Sequence, residues 1–422
     1  MNVLLLGSGG REHAIAWALA RSPLLTTLYA APGNPGIARH AELVTLDPND
    51  YPAVVGFARA RGVGLVVIGP EAPLVDGLSD ALRAAGVPAF GPSAAAARLE
   101  GSKGFTKDLC ARAGIPTAGY RRVRSREEAD AAITATFALP VVVKADGLAA
   151  GKGVTVAYSR EEADAALDRL FETPGGEAVI EEFLDGEEAS LFVLTDGDFF
   201  TSFGSAQDHK RVGDDDTGPN TGGMGAYSPA AVLTPALEAR ALVEIVAPTL
   251  AALREAGTPF SGILYAGLML TATGPKLIEY NVRFGDPEAE VVLPRFEGDL
   301  LEVMLATAEG RLRSLGPARF GADAALAVVV AASGYPGTPR AGGRVAGIER
   351  AEATGALVFQ AGTRAADDGV VANGGRVLAV TARGATVGDA QEAAYRAVDL
   401  IDFPDGFHRR DIGWRAVARE RG

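Results

Sequence analysis

The first hundred residues most limit the fold, because short apolar runs there end repeatedly in glycine and proline. Asn2–Leu6 runs into Gly7-Ser8-Gly9-Gly10, and Leu28–Ala31 into Pro32-Gly33-Asn34-Pro35-Gly36. Gly64–Ile68 runs into Gly69-Pro70-Glu71, and Pro88–Phe90 into Gly91-Pro92-Ser93. A helix is expected over Arg11–Ser22, directly after the first loop. This β-α-β-α alternation predicts an α/β fold whose N-terminal part is a doubly wound parallel sheet. Ligands of such sheets sit beyond the carboxyl ends of the strands, where every Gly/Pro loop falls. The first loop is not a dinucleotide fingerprint, since Glu12 stands where the third glycine is needed. Two readings stay open for it. The helix N-terminus could hold a single phosphate, with Arg11 beside it, or the glycines only turn the chain tightly onto the helix.

The rest of the 422 residues divides by pattern. Residues 1–101 form the first unit. Residues 102–325 form a larger one, inside which 125–189 is a small α/β lid: helix Arg126–Thr136, strand Val141–Lys144, a glycine loop, helix Arg160–Leu170 and strand Ala178–Phe183. Antiparallel pairs follow, Ser190–Asp196 with Phe199–Ser205 and Ile263–Thr271 with Lys276–Phe284. Residues 326–422 make a last α/β unit, closing with a helix over Val387–Ile401.

Charge narrows the function. The net charge of −13 argues against a nucleic-acid partner, which needs a basic footprint. No run of about 20 apolar residues exists, so no membrane span is expected, and the N-terminus reads as a strand rather than a signal peptide. The single cysteine, Cys110, allows no internal disulfide and points to a reducing cytoplasm; it reads as a small core filler, with a nucleophile as the alternative. Of 40 basic residues only six are lysines: Lys103, Lys107, Lys144, Lys152, Lys210 and Lys276. Where arginine serves almost everywhere, a lysine marks a need for a compact point charge. Lys107 alone reads as plain helix surface.

Five stretches carry candidate chemistry. In Lys276–Phe284, alternation puts Ile278, Tyr280, Val282 and Phe284 on one face and Leu277, Glu279, Asn281 and Arg283 on the other, roughly 7 Å apart per step. Carboxylate, amide and guanidinium in line suit a hard cation holding polyphosphate beside an anionic intermediate, although a solvated strand face has the same pattern. In Lys144–Val154 a strand ends in a lysine, and a loop with Gly147, Gly151, Lys152 and Gly153 follows. It lacks the Walker spacing and reads as a flap over phosphates. Around Glu181-Glu182-Phe183-Leu184, backbone groups could meet an adenine edge and Glu188 a ribose, or the glutamates are simply solvated. The ligand-shaped loops Gln207–Val212 and Thr217–Pro229 complete the set. His209 has no paired His or Cys, which argues against zinc.

These motifs resemble the ATP-grasp superfamily, and within it the phosphoribosylamine–glycine ligases (glycinamide ribonucleotide synthetases). The resemblance rests on GSGGREHA at Gly7–Ala14, PGNPG at Pro32–Gly36, GPEAPL at Gly69–Leu74, KADGLAAGKGV at Lys144–Val154 and EEFLDGEE at Glu181–Glu188. It continues in QDHKR at Gln207–Arg211, PNTGGMGAYSP at Pro219–Pro229, RFGDPE at Arg283–Glu288 and SGYPG at Ser333–Gly337. The family usually follows GDPE with Thr-Gln, and this chain has Ala289-Glu290.

The resemblance implies an ATP-grasp fold and a ligase that activates glycine as glycyl phosphate and transfers it to 5-phosphoribosylamine. It implies Mg²⁺ or Mn²⁺ on Glu279 and Asn281, and catalytic roles for Arg283, Lys210 and Asp208. ATP would meet Lys103, Lys144, Gly147, Gly151, Lys152, Gly153, Glu181, Phe183, Leu184 and Glu188. Phosphoribosylamine and glycine would meet Gly9, Gly10, Arg11, Asn34, Pro35, Glu71, Lys210, Asn220, Thr221, Gly222, Gly223 and Asp286. No protein partner is implied. Two other functions stay open: an ATP-grasp carboxylase acting on biotin or a purine precursor, and a nucleotide sensor without chemistry.

Overall fold

A computed structural model describes residues 1–148, 153–172, 176–367 and 369–422. The N-terminal sheet is built from β1 (Asn2–Gly7), β2 (Thr27–Pro32), β3 (Glu42–Leu43), β4 (Val63–Ile68) and β5 (Ala89–Phe90). Its order is β3-β2-β1-β4-β5 and every pair is parallel, as the alternation predicts. Val3, Leu4, Leu5 and Leu6 are all buried, because helices cover both faces. Helix α1 (Gly10–Leu19) starts at once after β1, so its N-terminus faces the carboxyl ends of the strands.

A second sheet of four strands joins β6 (Tyr120–Val123), β7 (Val141–Ala145), β8 (Val154–Ala157) and β9 (Ala178–Glu182) in the order β6-β9-β7-β8. Helices Arg126–Ala135 and Arg160–Phe171 back it with their own small core of Ile133, Val143, Leu167 and Ile180. β7 and β8 pair antiparallel, with Lys144 opposite Val154, so the glycine loop between them is a hairpin tip. Of that loop, Gly151 and Lys152 lie outside the described residues.

The largest sheet runs through the middle of the molecule. It contains β10 (Glu187–Asp196), β11 (Phe200–Asp208), β14 (Gly225–Ser228), β15 (Ser261–Thr271), β16 (Gly274–Asn281) and β17 (Ala324–Ala332). A short ribbon of β12 (Arg211–Gly213) and β13 (Thr217–Asn220) stands off it. The order is β16-β15-β10-β11-β14-β17, then strands Arg376–Gly384 and Leu357–Gln360, with Gly406–Phe407 also on β17. One antiparallel sheet thus carries the chain from residue 187 into its C-terminal part.

The end of β16 departs from the simple alternation. Gly267 faces Glu279 but Leu268 faces Leu277, so Ile278 is the extra residue of a bulge. A bulge shifts the register of side chains by one. Leu277 therefore joins the core with Tyr280, Val282 and Phe284, and Ile278 turns to the wall of the site instead of the core face expected for it. The regular strand ends at Asn281, which leaves Arg283 on the connection after it.

Candidate active site

Four units of chain meet over the free end of β16 and enclose a cavity of about 410 Å³. On the lid side Val142, Val154, Val156, Phe183, Leu184, Met269 and Ile278 give it an apolar slot. Lys103, Lys144, Gly147, Gly153, Glu181 and Glu188 line the same part. Lys103 Nζ donates to Gly147 O at 2.9 Å, tying the start of the flap to helix Lys103–Ala113. Ser102 and the backbone N–H of Gly104 donate to Asp146 and fix the flap's base.

Lys107 is not surface, as its helix position suggested. It is 2% exposed. Its Nζ stands 2.8 Å from Glu181 Oε2 and donates to Thr117 Oγ1 at 2.7 Å. Lys144 Nζ stands 3.0 Å from the other Glu181 oxygen and donates to Ile278 O at 3.2 Å. One carboxylate is thereby held between two lysines, which lets three charges stay buried at the floor of the slot. Burial pushes the Lys107 ammonium down and Glu181 opposes it. Cys110, on the same helix, is buried and its thiol is pushed up to about 12 by loss of solvent, which suits a core filler.

Beyond the slot, Glu279 and Asn281 face the cavity. Burial alone would raise the Glu279 carboxyl, but Lys210, Lys144, Lys103 and Arg283 outweigh it and hold it below the ordinary range. Among the described residues no hydrogen bond or ion pair engages that carboxylate, and no group of three His, Cys, Asp or Glu is arranged to hold a metal. The open, ionised carboxylate of Glu279, with Asn281 Oδ1 keeping one lone pair beside its long bond from Arg283, fits a hard divalent cation that takes its other ligands from water and phosphate. Arg283 follows, its Nη2 donating to Glu100 Oε1 at 2.8 Å and to Asn281 Oδ1 at 3.3 Å.

The opposite end of the cavity is lined by Arg11, Glu71, Asp208, Lys210, Asn220, Thr221, Gly222, Asp286, Glu288 and Arg376. Lys210 pairs with Glu188 across it. Thr221 returns both its N–H and its hydroxyl to Lys210 O, at 2.7 and 2.8 Å, which folds the loop over. Asp208 has its carboxyl pushed up to about 7, first by loss of solvent and then by Glu288 and Glu188, with Lys210 opposing. Tyr265 donates to Glu288 at 2.8 Å.

The glycine loop ahead of α1 is occupied by carboxylates of the protein. Gly9 N–H donates to Glu12 at 2.7 Å and Arg11 N–H to Asp286 at 3.4 Å. Glu12 folds back under the strand ends, and a Cβ at Gly69 would lie 2.1 Å from its Oε1, which is why both loops need glycine there. Gly9, Gly10, Asn34, Pro35 and Gly223 stand outside the cavity wall. The Asn34 amide donates to Ser8 O and Gln360 O, each at 2.8 Å, and so pins the second loop to the C-terminal part. Gly223 packs on Pro287, where a Cβ would meet Cδ at 2.5 Å. His209 accepts from Gly413 N–H at 3.0 Å, and burial lowers it to about 4, so it is a neutral brace.

Two charged groups of this site, Arg376 and Glu100, carry no signal in the sequence, and a third carboxyl, Glu290, is marked there only as a departure from the family pattern. Arg376 arrives from the C-terminal strand and donates to Gly222 O at 2.5 Å and Asp286 O at 2.6 Å, with its other arm 3.1 Å from the Asp286 carboxylate. No motif surrounds it. Glu100 precedes the Gly101-Ser102-Lys103 turn without any spacing to single it out. Glu290 is 0% exposed, and neither carboxylate oxygen has a hydrogen-bond partner among the described residues. It lies against α1, where a Cβ on Gly10 would stand 2.4 Å from Oε1. Burial, with Asp286 beside it, pushes its carboxyl well above the ordinary range.

A parallel strand-end site, an apolar slot lined by Lys103 and Lys144, and a carboxylate–amide pair facing it define an ATP-grasp enzyme. Comparison with known proteins narrows this further. The chain matches the family models of phosphoribosylglycinamide synthetase for the N domain over residues 1–100, the ATP-grasp (A) domain over 101–289 and the C domain over 325–415. It is 60% identical over 425 residues to the phosphoribosylamine–glycine ligase of Mesorhizobium japonicum, covering 100% of both chains. The crystal structure of phosphoribosylamine–glycine ligase from Thermotoga maritima superposes with a TM-score of 0.85 at 34% identity, covering 98% of this chain and 100% of that one. The biotin carboxylase domain of a Hydrogenobacter thermophilus 2-oxoglutarate carboxylase, solved with magnesium ADP, shares the fold at a TM-score of 0.71 and 18% identity, over 96% and 91% of the two chains. The chain belongs to the phosphoribosylglycinamide synthetase family.

Proposed function

We propose that this enzyme is an ATP-dependent ligase that joins glycine to 5-phosphoribosylamine, giving glycinamide ribonucleotide, ADP and phosphate. What supports the reading is the placement of Glu279, Asn281 and Arg283 between a lysine-lined slot and a separate polar end within one cavity. The adenine lies in the apolar slot against Phe183 and Leu184, and Lys103 and Lys144 bind the phosphates, with Gly147 and Gly153 at the flap. Glu279 and Asn281 would hold Mg²⁺ or Mn²⁺, which would supply charge neutralisation for the phosphates. The γ-phosphoryl group passes to the glycine carboxylate, giving glycyl phosphate and ADP. Arg283 stabilises the glycyl phosphate and the oxyanion formed when the amine attacks its carbonyl carbon. The nitrogen then loses a proton, and Asp208, tuned to about 7, accepts it. Phosphate leaves as the carbonyl re-forms. Arg11, Glu71, Asn220, Thr221, Gly222, Asp286 and Arg376 surround the amine substrate.

The division into residues 1–101, 102–325 with the lid 125–189, and 326–422 assigns each unit a separate role. The first and last units bring Arg11, Glu71 and Arg376 to the amine end beside the loops of the middle unit, and the lid covers ATP. Among the described residues no helix is long and apolar enough to cross a membrane. We place the enzyme in the cytoplasm on its one buried thiol, and infer no obligate protein partner.

The deciding experiment measures ADP release with ATP and phosphoribosylamine, supplying either glycine or bicarbonate. Release that depends on glycine, with glycinamide ribonucleotide identified by mass, is expected. Release that follows bicarbonate instead would replace this reading with a carboxylase.

A further inference from the structure

Arg283 is held by two carboxylates that differ in kind. Glu100, at the end of helix Ala94–Gly101, has a side chain 8% exposed. One of its oxygens accepts from Arg283 Nη2 at 2.8 Å, and the other accepts the backbone N–H of Val282 at 2.8 Å. It grips the side chain and the backbone of the same connection from a different unit of the fold. Glu71 is 26% exposed and stands 3.3 Å from Nε without a hydrogen bond. Nη1 is taken by Phe284 O at 3.1 Å. The Nε edge is therefore the side of the guanidinium that is ion-paired with Glu71 but has no well-aligned hydrogen-bond acceptor among the described residues. A buried donor in that condition is costly until an acceptor arrives.

We propose that Glu100 is the positioning residue that aims Arg283, and that Glu71 is an exchangeable partner displaced from the Nε edge by the anionic reacting group. The inference rests on the reading of Arg283 as the group that neutralises glycyl phosphate. Two bonds from one carboxylate fix the turn after β16, so the guanidinium needs no reorganisation when charge develops. The looser ion pair on the other edge keeps the cation compensated between turnovers and yields to a phosphate oxygen, the better match for a guanidinium edge.

Steady-state kinetics and thermal unfolding of Glu100→Gln, Glu100→Asp, Glu71→Gln and Arg283→Lys, with the Glu100→Gln/Arg283→Lys double variant, test it. Glu100→Gln is expected to lose about 10- to 100-fold in kcat with KM for ATP within about twofold. Glu100→Asp keeps the charge but not the reach, and loses a similar factor. Glu71→Gln shifts KM for glycine or phosphoribosylamine by a larger factor than kcat. The double variant loses no more kcat than Arg283→Lys alone, because Glu100 acts only through Arg283. Wild-type kcat in both Glu100 variants, or losses that multiply in the double variant, would overturn the positioning role. A kcat collapse in Glu71→Gln with unchanged KM would overturn the exchange. If Glu100→Gln does not fold, Glu100→Asp alone and combined with Arg283→Lys decides by the same criteria. Near-normal turnover in Arg283→Lys would instead refute the reading of Arg283 and remove the basis of the proposal.

Discussion

Replacing Glu290 by glutamine should shift the balance of stability toward the variant as pH rises. The carboxyl is fully buried against Gly10 and neither oxygen finds a hydrogen-bond partner among the described residues. Burial and the neighbouring Asp286 and Glu288 raise it, while Arg376 opposes. An ionised carboxylate there would be desolvated at heavy cost, so the folded protein keeps the proton. The unfolded chain releases that proton near the ordinary value of 4.5. Stability from this group is then fully present below 4.5 and falls as pH rises toward the folded value. One proton corresponds to about 1.4 kcal/mol per pH unit. Between pH 5 and 7 the wild type would give up at most about 2.7 kcal/mol that the glutamine variant keeps. The shape is preserved by the amide, so packing over Gly10 changes little. Thermal unfolding of both proteins from pH 5 to 8 reads the effect as a gap in Tm that widens with pH. A gap that stays constant, or widens toward acid, would refute the argument that Glu290 is buried as the acid.

Three further outcomes follow from the site. Arg283→Ala should retain ATP affinity and lose at least about 10²-fold in turnover, as for loss of an oxyanion donor, and near-normal turnover would remove its assignment. In the wild type, kcat/KM for the amine should rise as pH passes through about 7 while Asp208 gives up its proton, and Asp208→Asn should abolish that limb along with most activity; an unchanged pH profile in the variant would exclude Asp208 as the base. Lys107→Met should cost about 3–5 kcal/mol of stability by leaving Glu181 half-paired, whereas Lys103→Met should weaken ATP binding with little change in Tm, and a reversed pattern would show the two lysines exchanged in role.

Much of the fold was legible because local chemistry fixes it. Apolar runs ending in glycine and proline marked the parallel N-terminal sheet, and Asp196-Gly197 marked the hairpin of β10 and β11. The failures are equally specific. Lys107 has the same helix spacing as a solvated lysine, and only the approach of Glu181 from β9 makes it a buried ion pair. Ile278 was expected in the core because strict alternation carries no sign of an extra residue, which only its partner strand reveals.

The class of chemistry was written in the chain before any folding: six lysines kept where arginine prevails, a glycine flap, and a carboxylate, an amide and a guanidinium at alternate positions. Those features are local, since reach, charge and φ/ψ freedom belong to the residues themselves. How they are aimed depends on packing between distant segments. Glu100 lies 183 residues before the Arg283 it grips, and Arg376 lies 90 residues beyond the Asp286 it holds. Such pairings cost loop closure that only the whole packed core can offset, so no short window of the chain contains them.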